Sequence, residues 1–431
     1  MQQAADEEVA RAELRTSRFP FRYTIVALFF LSTVICYVDR VNVSVAIIPL
    51  ARDRSFDAAS QGLILSSFFW GYLVSQLAGG WVADRYGGKR VLAVGVAVWS
   101  IATMLTPAAT ASLGLLLAVR ALLGIGEGVN FPAIHSLAAK WTKNSERARA
   151  VALNFTGVHL GTVLALLLSP PVILRFGWQA LFYLSGALGF IWLVPWMLKS
   201  ANRPEDSTRI SRAESDEIAS DRSSTAPARA VPWRLIFSER AVWAIVLAHT
   251  CNNWGLYILL LWLPTYLNKI LGVPLASVGA YSLIPWLATF FAGNLGGWFG
   301  DHLIARGLPI TYVRKLMQTL AFALGALPLL VLPSVSDPPL AIVLVTISAM
   351  CGALSLAAFG VNHLDVGPRY AGILMGISNT AATIPGIVGV AATGVIWQLT
   401  GSFSSVFYLT SVIYAGGAIG YLFWASGERR L

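Results

Sequence analysis

About twelve apolar runs of roughly 20 residues each follow one another along this chain. Each run is long enough to cross the ~30 Å hydrocarbon core of a bilayer as a helix. Because lipid offers the backbone no hydrogen-bond partner, a spanning segment must satisfy its own N–H and C=O groups, as a helix does. Only 12% of the residues are charged, whereas soluble domains carry about 25%. The sequence therefore predicts an all-α integral membrane protein with twelve transmembrane helices.

The predicted spans divide into two groups of six. They cover residues 20–48, 60–83, 89–110, 113–140, 147–173, 177–198, 239–268, 276–300, 312–333, 338–360, 369–399 and 402–425. The polar segment between the sixth and seventh spans is rich in Ser, Arg, Asp and Glu, which predicts a flexible linker. We therefore expect an N-terminal tail (1–19), a six-helix bundle (20–198), a linker (199–238), a second six-helix bundle (239–425) and a C-terminal tail (426–431).

Positive charge is distributed unevenly between the two sides of the membrane. With the N-terminus placed inside, the outer loops hold only Arg52, Arg54, Arg175 and Lys269 out of 31 Lys and Arg residues. Such asymmetry is typical of a protein whose basic loops stay in the cytoplasm. The sequence predicts a multi-pass protein of the plasma (inner) membrane with both termini and the linker in the cytoplasm. The net charge of +10 then indicates no nucleic-acid partner.

The cysteines do not indicate a metal site or a disulfide. Cys36, Cys251 and Cys351 all lie within apolar runs and lack the spacing of either, so we interpret them as packing residues. The sequence also lacks the constellations of a membrane enzyme, such as HExxH, a Ser/His/Asp set or paired carboxylates at a membrane face. We therefore expect no enzymatic activity, no cofactor and no metal.

A short motif occurs twice, about half the chain apart. GGWVAD (residues 79–84) ends the second span, and GGWFGD (residues 296–301) ends the eighth. This duplication predicts two related halves with a substrate site between them near the membrane midplane. The first copy continues to residue 90 as a Gly-rich turn, and the alternative of a phosphate-binding loop lacks the flanking strand and the GKS or GKT ending. The candidate gating residues are Gly80, Asp84, Arg85, Gly88, Arg90 and Asp301.

The fourth predicted span carries two full charges, Arg120 and Glu127. A charge at the centre of a bilayer costs at least ~2.5–3.5 kcal/mol, so such residues face a protein interior or a watery path. Seven residues make about two helical turns, which puts both side chains on one face, about 10 Å apart along the axis. That distance is too long for an ion pair between them. We interpret Arg120 as substrate-binding and Glu127 as proton-coupling, with a structural ion pair to another helix as the alternative.

The first predicted span carries a second charged pair, Asp39 and Arg40. Neighbouring residues on a helix point about 100° apart, so these two side chains cannot share one role. The planar guanidinium of Arg40 suits a carboxylate or phosphate, which makes it a candidate substrate-binding residue. Asp39 can change its charge by binding a proton and is a candidate proton-coupling residue. A packing ion pair is again the alternative.

Polar side chains interrupt the apolar runs elsewhere. Tyr72 places a polar tip on an aromatic face of the second span, and Asn253 and Tyr257 belong to a polar cluster that predicts a cavity-lining seventh span. Ser378 and Asn379 form part of a polar stripe in the eleventh span and could donate hydrogen bonds to a substrate. Close packing by small residues is the alternative for that stripe.

Five segments together resemble one known family. They are VDRVNVSVAI (38–47), SSFFWGYLVSQLAGGWVADRYGGKR (66–90), GEGVNFPAIHSLAAKW (126–141), NHLD (362–365) and RYAGILMGISNTAATIPGIVG (369–389). The chain resembles the anion:cation symporter family of the major facilitator superfamily, including sialin, the vesicular glutamate transporters and plant phosphate-type anion transporters. The resemblance covers most of the chain and implies two pseudo-symmetric six-helix bundles.

The resemblance also implies roles for the charged residues. Arg40 and Arg120 correspond to arginines that family members use in anion binding or gating. Asp39 and Glu127 correspond to the acidic residues that couple proton movement in the symporters. These roles agree with those inferred above from charge and helical spacing.

Other positions narrow the resemblance. Tyr37 and Tyr72 correspond to substrate-site tyrosines of the galactonate-type members. Vesicular glutamate transporters have an arginine at the position of Asn252, and sialin has a second acidic residue at the position of Leu123. The resemblance therefore implies neither glutamate specificity nor the unchanged proton relay of sialin for this chain. His363 corresponds to a histidine shared by sialin and the glutamate transporters, and its role is open.

The sequence thus predicts a secondary active transporter that moves a small organic anion, a carboxylate or acidic sugar, together with a proton by alternating access. Inorganic phosphate, coupled to sodium or to a proton, is the alternative substrate. A channel or a membrane sensor on the same fold is the alternative of another class. The expected partners are the anion, the coupling ion and membrane lipid, and we expect a monomer.

Overall fold

The structure is a computed structural model that describes residues 20–222 and 231–431. The predicted N-terminal tail and residues 223–230 of the predicted linker lie outside the described residues. Within those described, the chain forms α-helices joined by short turns and 3₁₀ segments, and no strand occurs.

The first half of the chain contains seven helices that make six spans. They are α1 (Phe21–Arg54), α2 (Ala58–Tyr86), α3 (Gly88–Ala109), α4 (Leu113–Gly128), α5 (Asn130–Trp141), α6 (Asn144–Phe176) and α7 (Trp178–Lys199). Helices α4 and α5 together form one span. Two short helices follow, α8 (Arg212–Arg222) and α9 (Trp233–Ser238).

The second half contains eight helices that make the other six spans. They are α10 (Arg240–Lys269), α11 (Leu275–Ala305), α12 (Ile310–Val331), α13 (Pro338–Ala353), α14 (Phe359–Val366), α15 (Ala371–Ala381), α16 (Ile384–Thr400) and α17 (Ser404–Trp424). Twelve spans are long and apolar enough to cross a membrane among the described residues. The predicted all-α class with twelve spans is therefore confirmed.

Three spans predicted as single helices are broken, and the fourth span is interrupted at Val129, between α4 and α5. The tenth consists of α13, a 3₁₀ turn (Leu354–Ala357) and α14. The eleventh breaks between α15 and α16 because Pro385 has no N–H to donate to the preceding turn. The Asn253 side chain donates to the Ala382 carbonyl at this break, with a nitrogen–oxygen distance of 3.1 Å. A side chain of α10 thus satisfies a backbone acceptor that the break leaves unpaired.

Glycines bring α2 and α4 into close contact. A Cβ atom on Gly71 would lie 1.9 Å from the Ala121 carbonyl oxygen, and one on Gly124 would lie 1.9 Å from the Phe68 carbonyl oxygen. A Cβ atom on Gly128 would meet the Ser75 hydroxyl at 2.1 Å. Side chains larger than hydrogen cannot occupy these positions without separating the helices. The Gly124–Gly128 pair is therefore a packing face.

The two halves contact each other on one side of the membrane. With twelve spans, the start of α1 and the end of α17 lie on the same side, which we call the terminal side. On the opposite side α2 packs against α16, and the Ala59 amide donates to the Gln398 side chain at 2.8 Å. Helix α6 packs against α11 there, where a Cβ atom on Gly279 would lie 2.0 Å from the Leu166 carbonyl oxygen.

Part of the predicted flexible linker is ordered against the first half. The Arg22 side chain, at the start of α1, forms ion pairs with Glu146, with Glu214 and with Glu217. Glu214 and Glu217 belong to α8, and Lys143 also pairs with Glu217. Residues 212–222 of the predicted linker thus form a helix, and these charges hold α8 against the ends of α1 and α6.

The C-terminal residues return to the second half rather than extending away from it. The Gly427 amide donates to the Thr311 hydroxyl at 2.8 Å, and the Leu431 amide donates to the Val366 carbonyl at 3.0 Å. Residues 426–431, predicted as a tail, therefore contact the terminal-side ends of α12 and α14.

Candidate functional site

A cavity of about 1480 Å³ lies between the two halves, lined by both. It reaches from Arg40 in the first half to Tyr414 in the second, and its wall is largely apolar and aromatic. Small-molecule sites are commonly concave, mostly apolar and supplied with few polar groups, and this cavity has that character.

The cavity is open on the terminal side and closed on the other. Its wall extends to Gly80 at the terminal-side end of α2, to Trp233 of α9 and to Gly372 at the start of α15. Cβ atoms on Gly80 and Gly372 would meet nothing within 4 Å, so the two halves do not touch at these positions. The α2–α16 and α6–α11 contacts close the opposite side.

Arg40 supplies the positive charge of the cavity wall. Among the described lining residues it is the single Arg or Lys, and none is Asp or Glu. Its guanidinium carbon lies 4.6 Å from the centroid of the Tyr37 ring, 4.8 Å from that of Phe68 and 4.7 Å from that of Tyr72. Aromatic faces attract a cation by about 0.5–2 kcal/mol each, so these rings fix the guanidinium at the cavity edge.

Glu127 is the counter-ion of Arg40. Both Nε and Nη2 of Arg40 donate to the Oε2 atom of Glu127, at 3.1 and 3.0 Å. The Cys36 thiol donates to the same oxygen at 3.2 Å. The other oxygen, Oε1, is buried and has no hydrogen-bond partner among the described residues. Cys36 is therefore part of this ion-pair site, and the prediction of a mere packing residue is wrong for it.

Asp39 and Arg120 lie behind the cavity wall, inside the first half. Both are 1% exposed, and neither lines the cavity. Both carboxylate oxygens of Asp39 lack a hydrogen-bond partner among the described residues, as do Nε and Nη1 of Arg120. The Arg120 guanidinium carbon lies 5.7 Å from the Phe68 ring, which Arg40 also contacts. The two predicted anion-binding arginines are thus separated, and only Arg40 lines the cavity.

The second half contributes neutral polar groups to the wall. Asn253 and Tyr257 line the cavity, as expected of a cavity-lining seventh span, and Asn379 of the eleventh span lines it as well. Asn253 is engaged at the α15–α16 break, and its amide also lies 3.4 Å from the Tyr257 hydroxyl. The Tyr257 ring contacts that of Phe69 across the interface between the halves, with centroids 4.6 Å apart.

Ser378 does not line the cavity. It is fully buried, and its hydroxyl lies 3.1 Å from Nδ1 of His249 and 2.9 Å from Nε2 of His363. Its hydroxyl also lies 3.1 Å from the Met375 carbonyl oxygen. In this conformation the predicted donor is occupied by protein groups, and His249 is the member of the cluster that reaches the cavity.

Three of the candidate gating residues belong to the first half alone in this conformation. Asp84 accepts a hydrogen bond from Ser136 of α5 at 2.8 Å. A Cβ atom on Gly88 would lie 2.6 Å from the Leu137 side chain, so this glycine permits close packing of α3 against α5. Gly80 borders the open mouth of the cavity.

The other candidate gating residues carry charge at the terminal side. The Arg85 guanidinium carbon lies 5.5 Å from the Trp81 ring and 5.9 Å from the Tyr86 ring. Arg90 and Asp301 are exposed. No ion pair joins any of the three to another described residue, so a closed gate is not present here.

Several site residues have no strong signal in the sequence. Phe68 lies one helical turn before Tyr72, and Cys36 lies one turn before Arg40, so helical spacing could have indicated both. His135 and His159 line the cavity as well. Their positions depend on how α5 and α6 pack, which spacing within one helix does not determine.

Comparison with known proteins identifies what the chain is similar to. A family model described as Major Facilitator Superfamily matches residues 29–390. A probable anion transporter 4, chloroplastic, of Oryza sativa subsp. japonica is 45% identical, covering 96% of this chain and 70% of its own length. An ascorbate transporter, chloroplastic, of Arabidopsis thaliana is 44% identical (96% and 76%), and a sodium-dependent phosphate transport protein 1, chloroplastic, of the same plant is 44% identical (95% and 80%).

Solved structures share the fold. A bacterial homologue of the human lysosomal transporter Spinster, in an inward-facing and occupied conformation, has a TM-score of 0.76 at 17% identity, covering 94% of this chain and 97% of its own. A D-xylose–proton symporter has a TM-score of 0.75 at 13% identity, with coverages of 94% and 99%. At sequence identities this low, the two structures show that the fold is shared and nothing more.

Proposed function

Because the chain belongs to the major facilitator superfamily, and its relatives are anion transporters rather than enzymes, we propose that it carries a small organic anion together with a proton. The resemblance to an anion-transporting family predicted from the sequence is confirmed by these relatives. A carboxylate or an acidic sugar is the proposed substrate class.

The observation that carries the proposal is the charge of the cavity. Arg40 is the single fixed cation among the described lining residues, and no carboxylate lines the wall. A guanidinium in a low-dielectric cleft attracts an anion and can bind a carboxylate with two parallel hydrogen bonds. The size and aromatic character of the cavity favour an organic body attached to that negative group.

The Arg40–Glu127 ion pair supports coupling to a proton. While Glu127 is ionised, its Oε2 atom occupies two of the donors of Arg40. A proton on the unpartnered Oε1 atom neutralises the carboxylate and releases these donors for an incoming anion. Binding of the proton then favours binding of the anion, which is the linkage that symport requires. Asp39, buried in the first half, remains the second proposed proton-coupling residue.

Inorganic phosphate is the second candidate substrate. One relative at 44% identity is named a sodium-dependent phosphate transport protein, and another at 44% is named an ascorbate transporter. Arg40 suits either anion. The ion coupled to phosphate would be sodium or a proton.

Alternating access supplies the proposed transport cycle. The cavity opens on the terminal side, and the second conformation opens it on the other side by rocking the two six-helix bundles. In that conformation the two GGW motifs approach each other, and Gly80, Asp84 and Asp301 lie at the closed gate. Arg120 is proposed to act on the anion or the gate through this movement, and the monomer is proposed as the transporting unit.

The proposal also concerns the membrane in which the protein lies and its orientation there. The sequence predicts the plasma (inner) membrane, with the terminal side in the cytoplasm, and the chloroplastic names of the relatives give that location no support. Fractionation of a tagged chain, with protease accessibility of its C-terminus, tests both the membrane and the orientation.

Flux measurements in proteoliposomes test the substrate and the coupling ion. We expect saturable uptake of a labelled organic acid, with ascorbate, gluconate and glutamate as probes, when a proton gradient is applied. Saturable uptake of labelled phosphate alone, driven by sodium, would replace the proposal with the second candidate. Ohmic current without saturation would identify a channel instead.

Glu127→Gln tests the coupling residue. We expect this variant to lose proton-driven uptake, because its side chain cannot release a proton, and to retain counterflow exchange of the same anion. Glu146→Gln, which changes a carboxylate that pairs with Arg22 and does not line the cavity, is the control and keeps both activities. Equal loss of uptake and exchange in Glu127→Gln contradicts the coupling role.

A further inference from the structure

A second cluster of titratable groups borders the cavity, in the half that lacks the Arg40–Glu127 pair. His249 of α10 lines the cavity, and its Nδ1 atom lies 3.1 Å from the Ser378 hydroxyl of α15. The same hydroxyl lies 2.9 Å from Nε2 of His363 of α14. The two histidines are thus joined through one hydroxyl, and three helices meet at this point.

We propose that His249, Ser378 and His363 form a proton-binding relay that carries a proton from the cavity wall to His363. A histidine changes its charge near neutral pH when its surroundings do not prevent it, so two histidines joined by hydrogen bonds make a natural proton site. The relay is distinct from Glu127, since no described residue of the first half bonds to either histidine.

The hydrogen bonds define the state without the extra proton. Nδ1 of His363 lies 3.4 Å from the Gly360 carbonyl oxygen, which can only accept, so Nδ1 carries the hydrogen in neutral His363. Nε2 of His363 is then an acceptor, and in the relay the single Ser378 hydrogen points to it, at 2.9 Å, rather than to the Met375 carbonyl oxygen at 3.1 Å. Nδ1 of His249 donates to the hydroxyl oxygen, and Nε2 of His249 is an acceptor that makes no hydrogen bond with a described residue.

Adding a proton leaves every one of these bonds intact. The proton binds Nε2 of His249 from the cavity, and Nδ1 of His249 releases its hydrogen to the Ser378 oxygen. Ser378 releases its original hydrogen to Nε2 of His363. His363 is then a cation that donates to both Ser378 and Gly360, while Ser378 donates back to His249. One proton has been added, the net charge has risen by one, and no buried donor or acceptor has lost its partner.

The surroundings leave this charge without a carboxylate of its own. The Asp365 carboxylate, on α14, is paired with Arg314 of α12 at 2.8 Å. Neither histidine forms an ion pair with any described residue. The Phe359 ring stacks on the His249 ring, with centroids 4.7 Å apart, and holds it in place. The other titratable groups on α9 to α13 and α17, which surround the relay, are Arg234, Arg240, Cys251, Tyr257, Tyr266, Lys269, Tyr281, Asp301, His302, Tyr312, Lys315, Cys351, Tyr408, Tyr414 and Tyr421. Those on α1 and α2, which contact α10 and α15 from the first half, are Arg22, Tyr23, Cys36, Tyr37, Asp39, Arg40, Arg52, Asp53, Arg54, Tyr72, Asp84, Arg85 and Tyr86.

The proton on the relay changes the cavity for an anion. Arg40 is the single fixed cation among the described lining residues, and the relay adds one positive charge on His363, behind the wall residue His249. The second half then attracts an anion at low pH and stops doing so when the proton leaves. This inference goes beyond the proposed role of Glu127 and stands whichever anion is carried.

Nitrogen NMR of the full chain in detergent micelles tests the relay directly. The chain has only five histidines, so ¹⁵N-imidazole signals can be assigned from single variants, including His249→Gln and His363→Gln. We expect the His249 and His363 signals to titrate together with one midpoint between pH 4 and 9, because a shared proton belongs to the pair. In Ser378→Ala we expect two separate midpoints, at least about half a pH unit apart.

Two further variants separate a relay from a purely structural cluster. Ser378→Thr keeps the hydroxyl and restores the common midpoint, whereas His302→Gln removes a histidine that stacks on Trp298 and leaves the titration unchanged. Separate midpoints in the unmodified chain, no titration over the range, or a Ser378→Ala titration like that of the unmodified chain overturns the proposal. The measurement needs no transport, so its result is independent of the flux experiments.

Discussion

Each half of the molecule contains an arginine–carboxylate pair within its helix bundle, and the two pairs lie in different surroundings. Arg40 and Glu127 of the first half lie 3.0 Å apart at the edge of the cavity, with Glu127 fully buried. Arg314 and Asp365 of the second half lie 2.8 Å apart at the terminal-side ends of α12 and α14, away from the cavity wall. We propose that the same chemistry serves two purposes, binding of the anion and proton in the first half and helix packing in the second, and that position decides between them.

The contacts around each pair explain the difference. Arg314 also donates to the Ala357 carbonyl at 2.9 Å, which satisfies a backbone group at the break in the tenth span. All of its bonds go to structural partners. Arg40 lies among three aromatic rings beside open space, and its partner keeps one oxygen unpaired. A pair with spare bonding capacity next to a cavity can exchange its partner for a ligand, whereas a fully bonded pair can only hold helices together.

Arg40→Gln carries the largest expected effect, a loss of anion uptake of at least about 100-fold, because the cavity loses its fixed cation. Removing one member of a buried pair also costs about 3–5 kcal/mol of stability, since Glu127 is left unpaired. The double variant Arg40→Gln/Glu127→Gln should therefore recover most of the thermal midpoint while uptake stays absent. Uptake and thermal unfolding of the purified variants measure both quantities, and recovery of uptake in the double variant would contradict the role of Arg40.

Arg314→Gln should show the opposite pattern. It leaves Asp365 unpaired and removes a donor from Ala357, so we expect a large drop in thermal midpoint, again from about 3–5 kcal/mol of lost pairing. The protein that remains folded should transport at a rate within about threefold of the unmodified chain, because no cavity charge has changed. If the transport rate per folded molecule were as low as that of Arg40→Gln, the Arg314–Asp365 pair would also be needed for transport, which would contradict the proposed difference.

Substitutions in the duplicated GGW motif have the smallest expected effect on transport. They test whether the two halves use this motif in the same way. The first glycine of each copy packs against a neighbouring helix, with Cβ distances of 3.2 Å to Pro132 from Gly79 and 2.8 Å to Leu354 from Gly296. The second, Gly80 or Gly297, would place a Cβ atom in open space.

We expect Gly80→Val and Gly297→Val to slow transport by about 5- to 10-fold, or about 1 kcal/mol in the barrier, without lowering the thermal midpoint. Added bulk does not disturb the open side seen here, but it opposes closure of that side. Uptake and thermal unfolding of both variants are the measurements, with Gly416→Val, in open space on α17, as the matched control. A lower thermal midpoint in either variant would show that the substituted glycine is needed for helix packing rather than for gating.

Much of the fold could be predicted from the sequence, because run length and the cost of an unpaired backbone in lipid leave few choices. The features that the sequence did not predict depend on contacts with residues far away in the chain. The break before Pro385 is tolerated because Asn253, far away in the chain, satisfies the Ala382 carbonyl. Helix α8 is held by charges on Arg22 and Lys143, which its own composition does not indicate.

The sequence indicated many of the residues that belong to the site, but not which residue each of them contacts. Seven-residue spacing correctly excluded an ion pair between Arg120 and Glu127, and helical geometry correctly separated Asp39 from Arg40. The partner of Glu127 is 87 residues away along the chain, so no spacing within one helix could name it. The roles of His249 and His363 depend on Ser378, which belongs to a third helix.

The sequence alone determined that this chain forms membrane helices, that two related groups of six follow one another, and that charges are buried among them. Periodicity and hydropathy are properties of each helix about its own axis, so they can be read without knowing the neighbours. Only the tertiary structure decided that Arg40 meets the cavity, that Arg120 lies behind the wall and that Glu127 pairs across from α4 to α1. Those outcomes depend on how each helix is rotated against the next, which close contacts such as Gly71 against Ala121 set between segments far apart in the chain.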